Sequence, residues 1–165
     1  MNGKILMSDK TIWVYFFETG GLASSLIRFF TFSQWNHVGI KIGDKFYHSN
    51  YKNGVHCISD GDPNTQVKGS VSNFDVIPIR LTNEQYEKMD KFLSDQCGKK
   101  YDLTALFAFP FRKNWSDDKE WFCSELVAAV LHRVGIISTP KAYRITPKDL
   151  YLILKTLQHV INKNK

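Results

Sequence analysis

Three side chains in this 165-residue sequence can support nucleophilic catalysis together: Cys123, His37 and His48. A cysteine thiol becomes a strong nucleophile when a base lies within hydrogen-bond reach, and the base needs a further group that fixes its tautomer. The two histidines could supply both groups, provided that the fold brings them to the thiol. The elements that must do so are a helix that begins at Cys123 and a β-hairpin that carries the histidines.

The helix is predicted by the apolar residues that follow Cys123 and recur at helical spacing up to Gly135; they are Leu126, Val127, Val130, Leu131 and Val134. Cys123 therefore lies in the first turn, where unpaired backbone N–H groups and the helix dipole favour a negative charge. We expect a lowered thiol pKa, so that Cys123 is alkylated at pH 7 faster than Cys57 or Cys97. The alternative is that Cys123 is a buried small hydrophobic residue, the usual environment of a free cysteine.

The hairpin is predicted over residues 37–49, where alternating residues flank a Gly-Asp turn. A two-residue turn pairs Gly39 with His48 and His37 with Asn50. The two histidines then lie on one face as diagonal neighbours, roughly 7–8 Å apart at the backbone, a distance that two imidazoles can bridge. Gly39 should leave the His48 ring room to lean toward His37, and Asn50 is a competing candidate for the group that orients His37.

The alternation also assigns the two faces of the hairpin. Val38, Ile40 and Ile42 share the apolar face, and the other face carries His37, Gly39, Lys41, Phe46, His48 and Asn50. The alternative to a catalytic interpretation is that the histidines are residues of a half-exposed strand face with no catalytic role.

Four segments resemble the permuted branch of the NlpC-type cysteine peptidases: Asn36–Asp44, Phe46–His48, Gly98–Asp102 and Phe122–Val127. This papain-like superfamily also contains the lecithin:retinol acyltransferase group, and in its permuted members the histidine-bearing hairpin precedes the cysteine-bearing helix. The resemblance implies an α+β fold of papain-like type, circularly permuted, in which an antiparallel sheet packs against helices. We expect one domain that spans residues 1–165.

The resemblance also implies a role for each candidate residue. It makes Cys123 the nucleophile and His37 the base, and it puts His48 at the third polar position, which is a histidine in acyltransferase-like members and an acid in others. The Cys123 backbone N–H would stabilise the oxyanion, as expected for a nucleophile at a helix start. Tyr15 is a candidate second donor if the first strand runs beside the hairpin, and it is equally suited to the core.

The expected function is cysteine-dependent cleavage or transfer of an acyl group through an acyl-enzyme, with an amide as the first substrate class and peptidoglycan peptides among the amides. A lipid acyltransferase or phospholipase of the same fold is the first alternative, favoured by the basic charge and by the apolar segments Leu22–Phe32 and Leu103–Phe111. A binding module that kept the fold without catalysis is the second. Loops at Asp60–Ser72 and Arg112–Lys119 would shape the substrate groove.

The remaining elements are predicted from the same patterns. We expect strands over Thr11–Phe17, Gly54–Ile58 and Phe74–Leu81, and helices over Leu22–Phe32, from Thr82 or Asn83 to about Gln96, and from Pro147 onward. Trp35 and Trp121 can either wall a cleft or pack in the core. For Glu125 we favour a structural role at the start of the Cys123 helix, where the dipole stabilises an acid.

Composition limits the other functions. The formal charge of +6 predicts weak contact with anionic surfaces rather than a specific nucleic-acid site. Three cysteines form neither a disulfide framework nor a metal-binding pair, so we expect no metal and no cofactor. We interpret Cys57 and Cys97 as inert thiols, and His56, His132 and His159 as surface or packing residues.

The sequence shows neither a signal-peptide pattern nor an apolar run long enough for a membrane span. We therefore expect a cytoplasmic protein. If the substrate is the cell wall, we expect delivery by a route other than the general secretory pathway, such as phage-assisted lysis.

Overall fold

The fold is organised around a five-stranded antiparallel sheet, seen here in a computed structural model that describes residues 10–67, 71–102, 120–138 and 145–163. The strand order is β4-β3-β2-β1-β5, and the strands are β1 Lys10–Thr19, β2 His37–Ile42, β3 Lys45–Asn50, β4 Gly54–Ser59 and β5 Val71–Leu81. Helices pack against this sheet, so the expected α+β class is confirmed. The predicted segment Leu103–Phe111 and the whole predicted loop Arg112–Lys119 lie outside the described residues, as do residues 1–9.

The helices of the described residues are α1 Leu22–Thr31, α2 Pro63–Gln66, α3 Asn83–Gln96, α4 Cys123–Arg133 and α5 Pro147–Lys163. The helix α4 packs against β2 and β3, and both α3 and α5 contact α4. The start of α3 is a capping box, in which Thr82 Oγ1 accepts the Gln85 N–H and Gln85 Oε1 accepts the Thr82 N–H. This confirms Thr82 as the cap. Across the described part of the chain, no helix combines the length and the apolar character that a membrane crossing requires.

The hairpin β2–β3 has the predicted two-residue turn. Ile42 pairs with Lys45 and Gly39 pairs with His48, and Gly43 has a φ of 59°, which suits a tight hairpin turn. The predicted pair of His37 with Asn50 is wrong. The ladder ends at Gly39, and Asn50 Oδ1 instead accepts the backbone N–H groups of Lys52 and of Asn53, which turns the chain into β4.

The two faces of the sheet bury different sets of residues. The larger core lies between the sheet and helices α3, α4 and α5, and it includes the predicted face Val38, Ile40 and Ile42. A smaller cluster of Phe17, Phe46 and Val67 covers the other face, with Tyr15 packed against it. Phe46 therefore shares the face of His48, as the alternation predicts.

The largest departures from the predicted elements are in two segments. Residues 63–66 of the predicted loop form the short helix α2, because Asp62 caps it through the Asn64 N–H and Pro63 suits its first position. The strand β5 begins at Val71, three residues before the predicted Phe74, because its pairing with β1 continues past a register shift between Glu18 and Thr19.

Candidate active site

The two histidines of the hairpin are joined by a hydrogen bond. His37 Nε2 and His48 Nδ1 lie 2.9 Å apart, and the rings meet nearly edge to face. His37 is the first residue of β2, and His48 lies in the middle of β3 with only 1% of its surface exposed. The predicted contact between diagonal neighbours is therefore present.

Two other rings pack against the His48 ring. The Phe46 ring centroid is 5.1 Å away, and the His56 centroid is 4.2 Å away. Sequence reasoning set His56 aside as a surface or packing residue and so missed its contact with His48. The signal lay in the register, because the chain turns from Asn50 to Gly54 and so pairs His48 with His56 across β3 and β4.

The predicted role of Gly39 is wrong. A Cβ built on Gly39 would overlap the Phe46 ring, so Phe46 rather than a leaning His48 fills the space above the glycine. Phe46 has no exposed surface and stacks against His48. The absence of a side chain at position 39 therefore positions His48 indirectly, through the aromatic ring beside it.

The backbone just before His37 is fixed by Asn36, which sequence reasoning missed. The Asn36 Oδ1 accepts the Thr19 N–H at 3.0 Å, and Nδ2 donates to the Thr19 carbonyl at 2.9 Å. The Asn36 N–H also donates to the carbonyl of Phe17. This amide, 2% exposed, ties the start of β2 to the end of β1 and so sets where His37 leaves the sheet.

Cys123 is the first residue of α4, as predicted, and it has no exposed surface. The backbone N–H groups of Val38, Ser124 and Cys123 itself lie near its sulfur and lower the pKa of the thiol. The Val38 contact places the thiol against the backbone of the residue that follows His37. No hydrogen bond joins the Cys123 sulfur to His37 or His48, all three being described residues.

The predicted low pKa of the Cys123 thiol is wrong for this structure. Burial raises the pKa to about 12 and outweighs the backbone N–H groups, which lower it. Cys57 and Cys97 are exposed to solvent whereas Cys123 is buried, so this structure gives no reason to expect faster alkylation at Cys123. Helix-start stabilisation of a thiolate is present, but it does not exceed the desolvation.

Burial acts on the histidines in the opposite sense, because it disfavours the charged imidazolium. It lowers the pKa of His37 to about 4, with a smaller contribution from His56. It lowers the pKa of His48 to about 2, with contributions from His37 and His56. The resting site at neutral pH is therefore a neutral thiol beside neutral imidazoles rather than an ion pair.

The segment that leads into Cys123 is anchored to the hairpin. Ser49 Oγ, next to His48 in sequence, donates to the Trp121 carbonyl at 2.7 Å. The Trp121 N–H donates to the Lys100 carbonyl at 2.9 Å, and its ring N–H donates to Gln96 at 3.1 Å. Ser49, also missed from the sequence, thus fixes the start of α4 relative to β3.

Glu125 has the structural role that was expected of it. Its Oε2 accepts the backbone N–H of Phe122, the residue before Cys123, at 3.3 Å. A carboxylate in the first turn of α4 satisfies one of the unpaired N–H groups there and is stabilised by the helix dipole. Glu125 therefore supports the helix start rather than facing the histidines.

A small cleft of ≈ 60 Å³ opens beside the histidines. His37 and His48 line it with Asn50 and Tyr101, and Lys52 is the one charged residue among the described residues of its lining. Asn50 lies near the site, but its Oδ1 is used in the turn to β4 and makes no bond to His37.

Three other aromatic candidates lie away from this cleft. The strand of Tyr15 does run beside the hairpin, with Tyr15 opposite Gly39, but Tyr15 lines a different cleft with Lys41 and Asp62. Trp35 is buried against Phe16 in the core, and the Trp121 ring packs against Phe92. The second oxyanion donor is not supplied by Tyr15 in this arrangement.

Among the described residues, no three His, Cys, Asp or Glu side chains are grouped in a way that could hold a metal ion. No protein-family model matches the sequence, and no curated protein does either.

Proposed function

We propose that this protein is a cysteine-dependent acyl hydrolase or acyltransferase of the permuted papain-like, NlpC-type class, with an amide as the first substrate class. The main support is the His37–His48 hydrogen bond, because it occupies Nε2 of His37. Nδ1 of His37 makes no hydrogen bond to a described residue, so it can act as a base. Cys123 lies at a helix start, with its sulfur against the Val38 N–H beside His37.

In the first half of the reaction, His37 Nδ1 takes the Cys123 proton while the sulfur attacks the substrate carbonyl carbon. The three backbone N–H groups around the sulfur stabilise negative charge as it develops there. The carbonyl oxygen becomes an oxyanion that the Cys123 N–H can bind at the positive end of α4. His48 Nδ1 accepts the His37 Nε2–H and keeps the ring oriented.

In the second half, the His37 imidazolium gives its proton to the leaving amine, which departs and leaves a thioester on Cys123. Water or another acyl acceptor then attacks the thioester, and His37 Nδ1 takes the proton of that nucleophile. The sulfur leaves as a thiolate and regains a proton from His37. Whether the acceptor is water or a second substrate decides between hydrolysis and transfer.

Because the Cys123 sulfur has no exposed surface, this chemistry requires a local opening near the start of α4. Before a substrate binds, the Cys123 thiol and the His37 imidazole are both neutral. Proton transfer from the sulfur to His37 therefore accompanies the attack of the sulfur rather than preceding it. Once this opening brings the sulfur to a bound acyl substrate, the site can react, whereas the enclosed neutral thiol reacts slowly with an alkylating reagent.

The test is turnover of a small amide, N-acetyl-alanine 4-nitroanilide, and of peptidoglycan fragments, with mass spectrometry of the protein. We expect an acyl adduct on Cys123 in the wild type and its loss in Cys123→Ala and His37→Ala. Circular dichroism checks that both variants fold. Undiminished turnover by a folded Cys123→Ala variant would refute the proposal, and binding of these substrates without turnover would favour a non-catalytic module.

A lipid ester is the second candidate substrate, because α1 exposes large apolar side chains beside the cleft. Leu26 is 42% exposed, Phe29 68% and Phe32 82%, while Ser24 and Ile27 of the same helix line the cleft. A contiguous exposed apolar patch of this kind favours contact with a lipid surface. The test compares phospholipid vesicles with the amides, using Phe29→Ser and Leu152→Ser as a matched pair, since Leu152 is exposed on α5. Loss of lipid turnover in Phe29→Ser alone would support the lipid substrate, and equal rates would exclude this role of α1.

A further inference from the structure

Among the described residues, one buried ring nitrogen of the histidine pair has no hydrogen-bond partner. His48 Nε2 is buried and makes no hydrogen bond, whereas His48 Nδ1 is bonded to His37. Buried polar atoms are rarely left unpaired, and such an atom calls for a specific explanation, such as a bound group that satisfies it. His48 is 1% exposed and lines the cleft beside His37, so a ligand in this cleft is a direct way to supply that group.

The hydrogen bond between the two rings admits two arrangements of protons while both rings are neutral. In the first, His37 carries its proton on Nε2 and donates it to His48, which then carries its own proton on Nε2. In the second, His48 donates from Nδ1, so His37 carries its proton on Nδ1 and His48 Nε2 is bare. Only the first leaves His37 Nδ1 free to accept the proton of a thiol.

We propose that His48 Nε2 is a recognition position for a hydrogen-bond-accepting oxygen of a ligand in the cleft, and that this contact selects the tautomer in which His37 is a base. The inference rests on the proposed role of His37 in activating Cys123. An acceptor at Nε2 stabilises a proton there, and the hydrogen bond between the rings then leaves His37 Nδ1 bare. Binding of the ligand thereby keeps His37 in the tautomer that can act as the base.

The lining of the cleft favours a carboxylate over a neutral carbonyl as this group. Lys52 is the charged residue among the described residues that line the cleft, and those residues include no acid. Hydrogen bonds to a charged oxygen are also the stronger ones. The ligand class that fits best is therefore an acyl compound that carries a free carboxylate, with a carbonyl oxygen as the neutral form of the same contact.

The experiment reads the tautomers directly by ¹⁵N NMR of the histidine rings in the full chain at pH 7. Sodium acetate supplies the carboxylate, acetamide supplies a neutral carbonyl, and sodium chloride matches the ionic strength. We expect acetate to raise the ratio of the first arrangement to the second by about tenfold, the effect of one charged hydrogen bond. Chloride should have no effect, and a response to acetamide alone would assign the contact to a carbonyl. Equal tautomer populations in all three solutions, or a proton kept on His37 Nδ1 in saturating acetate, would overturn the proposal.

Two variants sharpen the experiment. In His48→Asn, the side-chain oxygen can only accept from His37 Nε2–H, so His37 should hold the basic tautomer without acetate. In Lys52→Gln, an exposed change, the response to acetate should weaken while the response to acetamide stays. An acetate response that persists in His48→Asn would place the acetate elsewhere and overturn the assignment. These spectra need no turnover, so an inactive Cys123 would refute the proposed function while the tautomer response could still be present.

Discussion

The histidine hairpin and the start of α4 supply the two halves of the candidate site, and the two halves are held differently. His37 and His48 meet through a direct side-chain hydrogen bond within one hairpin. The Cys123 sulfur, on a helix far along the chain, makes no hydrogen bond to either histidine and lies near the backbone N–H of Val38. The proposed base is therefore oriented in the resting protein, while the proposed nucleophile is enclosed and unpaired with it.

Burial shifts the pKa of a group in each half of the site, in opposite directions. Desolvation lowers the pKa of His37, which keeps the imidazole neutral and able to take a proton. Desolvation raises the pKa of Cys123, which keeps the proton on the sulfur. In the proposed mechanism, this neutral thiol and neutral imidazole react by general-base attack once a substrate enters, and the two halves can be tested separately.

The largest effect is expected from removal of the base. His37→Ala should lower kcat/KM for an acyl substrate by roughly 10²–10⁴-fold, the usual contribution of a positioned base. His159→Ala is the matched control, because His159 is exposed on α5 and should leave the rate unchanged. Steady-state rates test this, and circular dichroism checks the fold. A folded His37→Ala variant with the wild-type rate would show that His37 is not the base.

A smaller effect is expected from the orienting residue. His48→Ala should lower the rate by about tenfold, the size of one lost hydrogen bond to a group that becomes charged. His48→Asn should keep part of the activity because its oxygen can still accept from His37. Asn50→Ala should change the rate little, since the Asn50 oxygen serves the turn to β4. An inactive Asn50→Ala beside a fully active His48→Ala would reverse this assignment.

The stability of the fold should fall in mild acid because the histidines are buried in neutral form. Between pH 6.5 and about 4 the unfolded chain binds protons that His37 does not bind in the folded state, so unfolding becomes easier as the pH falls. The pKa of the half-buried His37 is lowered from 6.5 to about 4, so this loss of stability grows as the pH falls through that range. Denaturant titrations from pH 7.5 to 4 measure it, and the His37→Gln variant should show a flatter profile. Equal pH profiles for variant and wild type would contradict the buried neutral state.

A second effect on stability concerns the ring that packs against His48. Gly39→Val should destabilise the protein by roughly 1–3 kcal/mol, because the new side chain overlaps the buried Phe46 ring. Ser59→Val, at the exposed end of β4, is the matched control and should be nearly neutral. Thermal unfolding measures both. A Gly39→Val variant as stable as the control would show that Phe46 can shift without loss.

The hairpin could be predicted from the sequence because its geometry is local. Alternation around the Gly43-Asp44 turn fixes which residues share a face, and so the meeting of His37 with His48 follows from register alone. The same reasoning extended across the turn at residues 51–53 would have placed His56 on His48. It failed for Asn50, because a side-chain bond to the turn competes with the ladder.

The environment of Cys123 could not be predicted in the same way. The apolar spacing after Cys123 places it at the start of a helix, and that prediction is confirmed. Its pKa depends instead on how deeply α4 packs against β2 and β3, a contact between distant parts of the chain. The position at the helix start alone therefore predicts a thiolate, whereas burial keeps the Cys123 sulfur protonated. The hydrogen bonds of Asn36 and Ser49 could not be predicted from the sequence, because their partners are backbone groups.

The most direct test of the central claim is the position of the acyl group after reaction with 4-nitrophenyl acetate, a small activated ester. Peptide mapping by mass spectrometry compares Cys123 with the exposed thiols Cys57 and Cys97, in the wild type and in His37→Ala. We predict an acetyl thioester on Cys123 in the wild type that is lost in His37→Ala, with the background on the other two thiols unchanged. Acetylation of Cys57 or Cys97 alone, or of Cys123 to the same extent without His37, would contradict it.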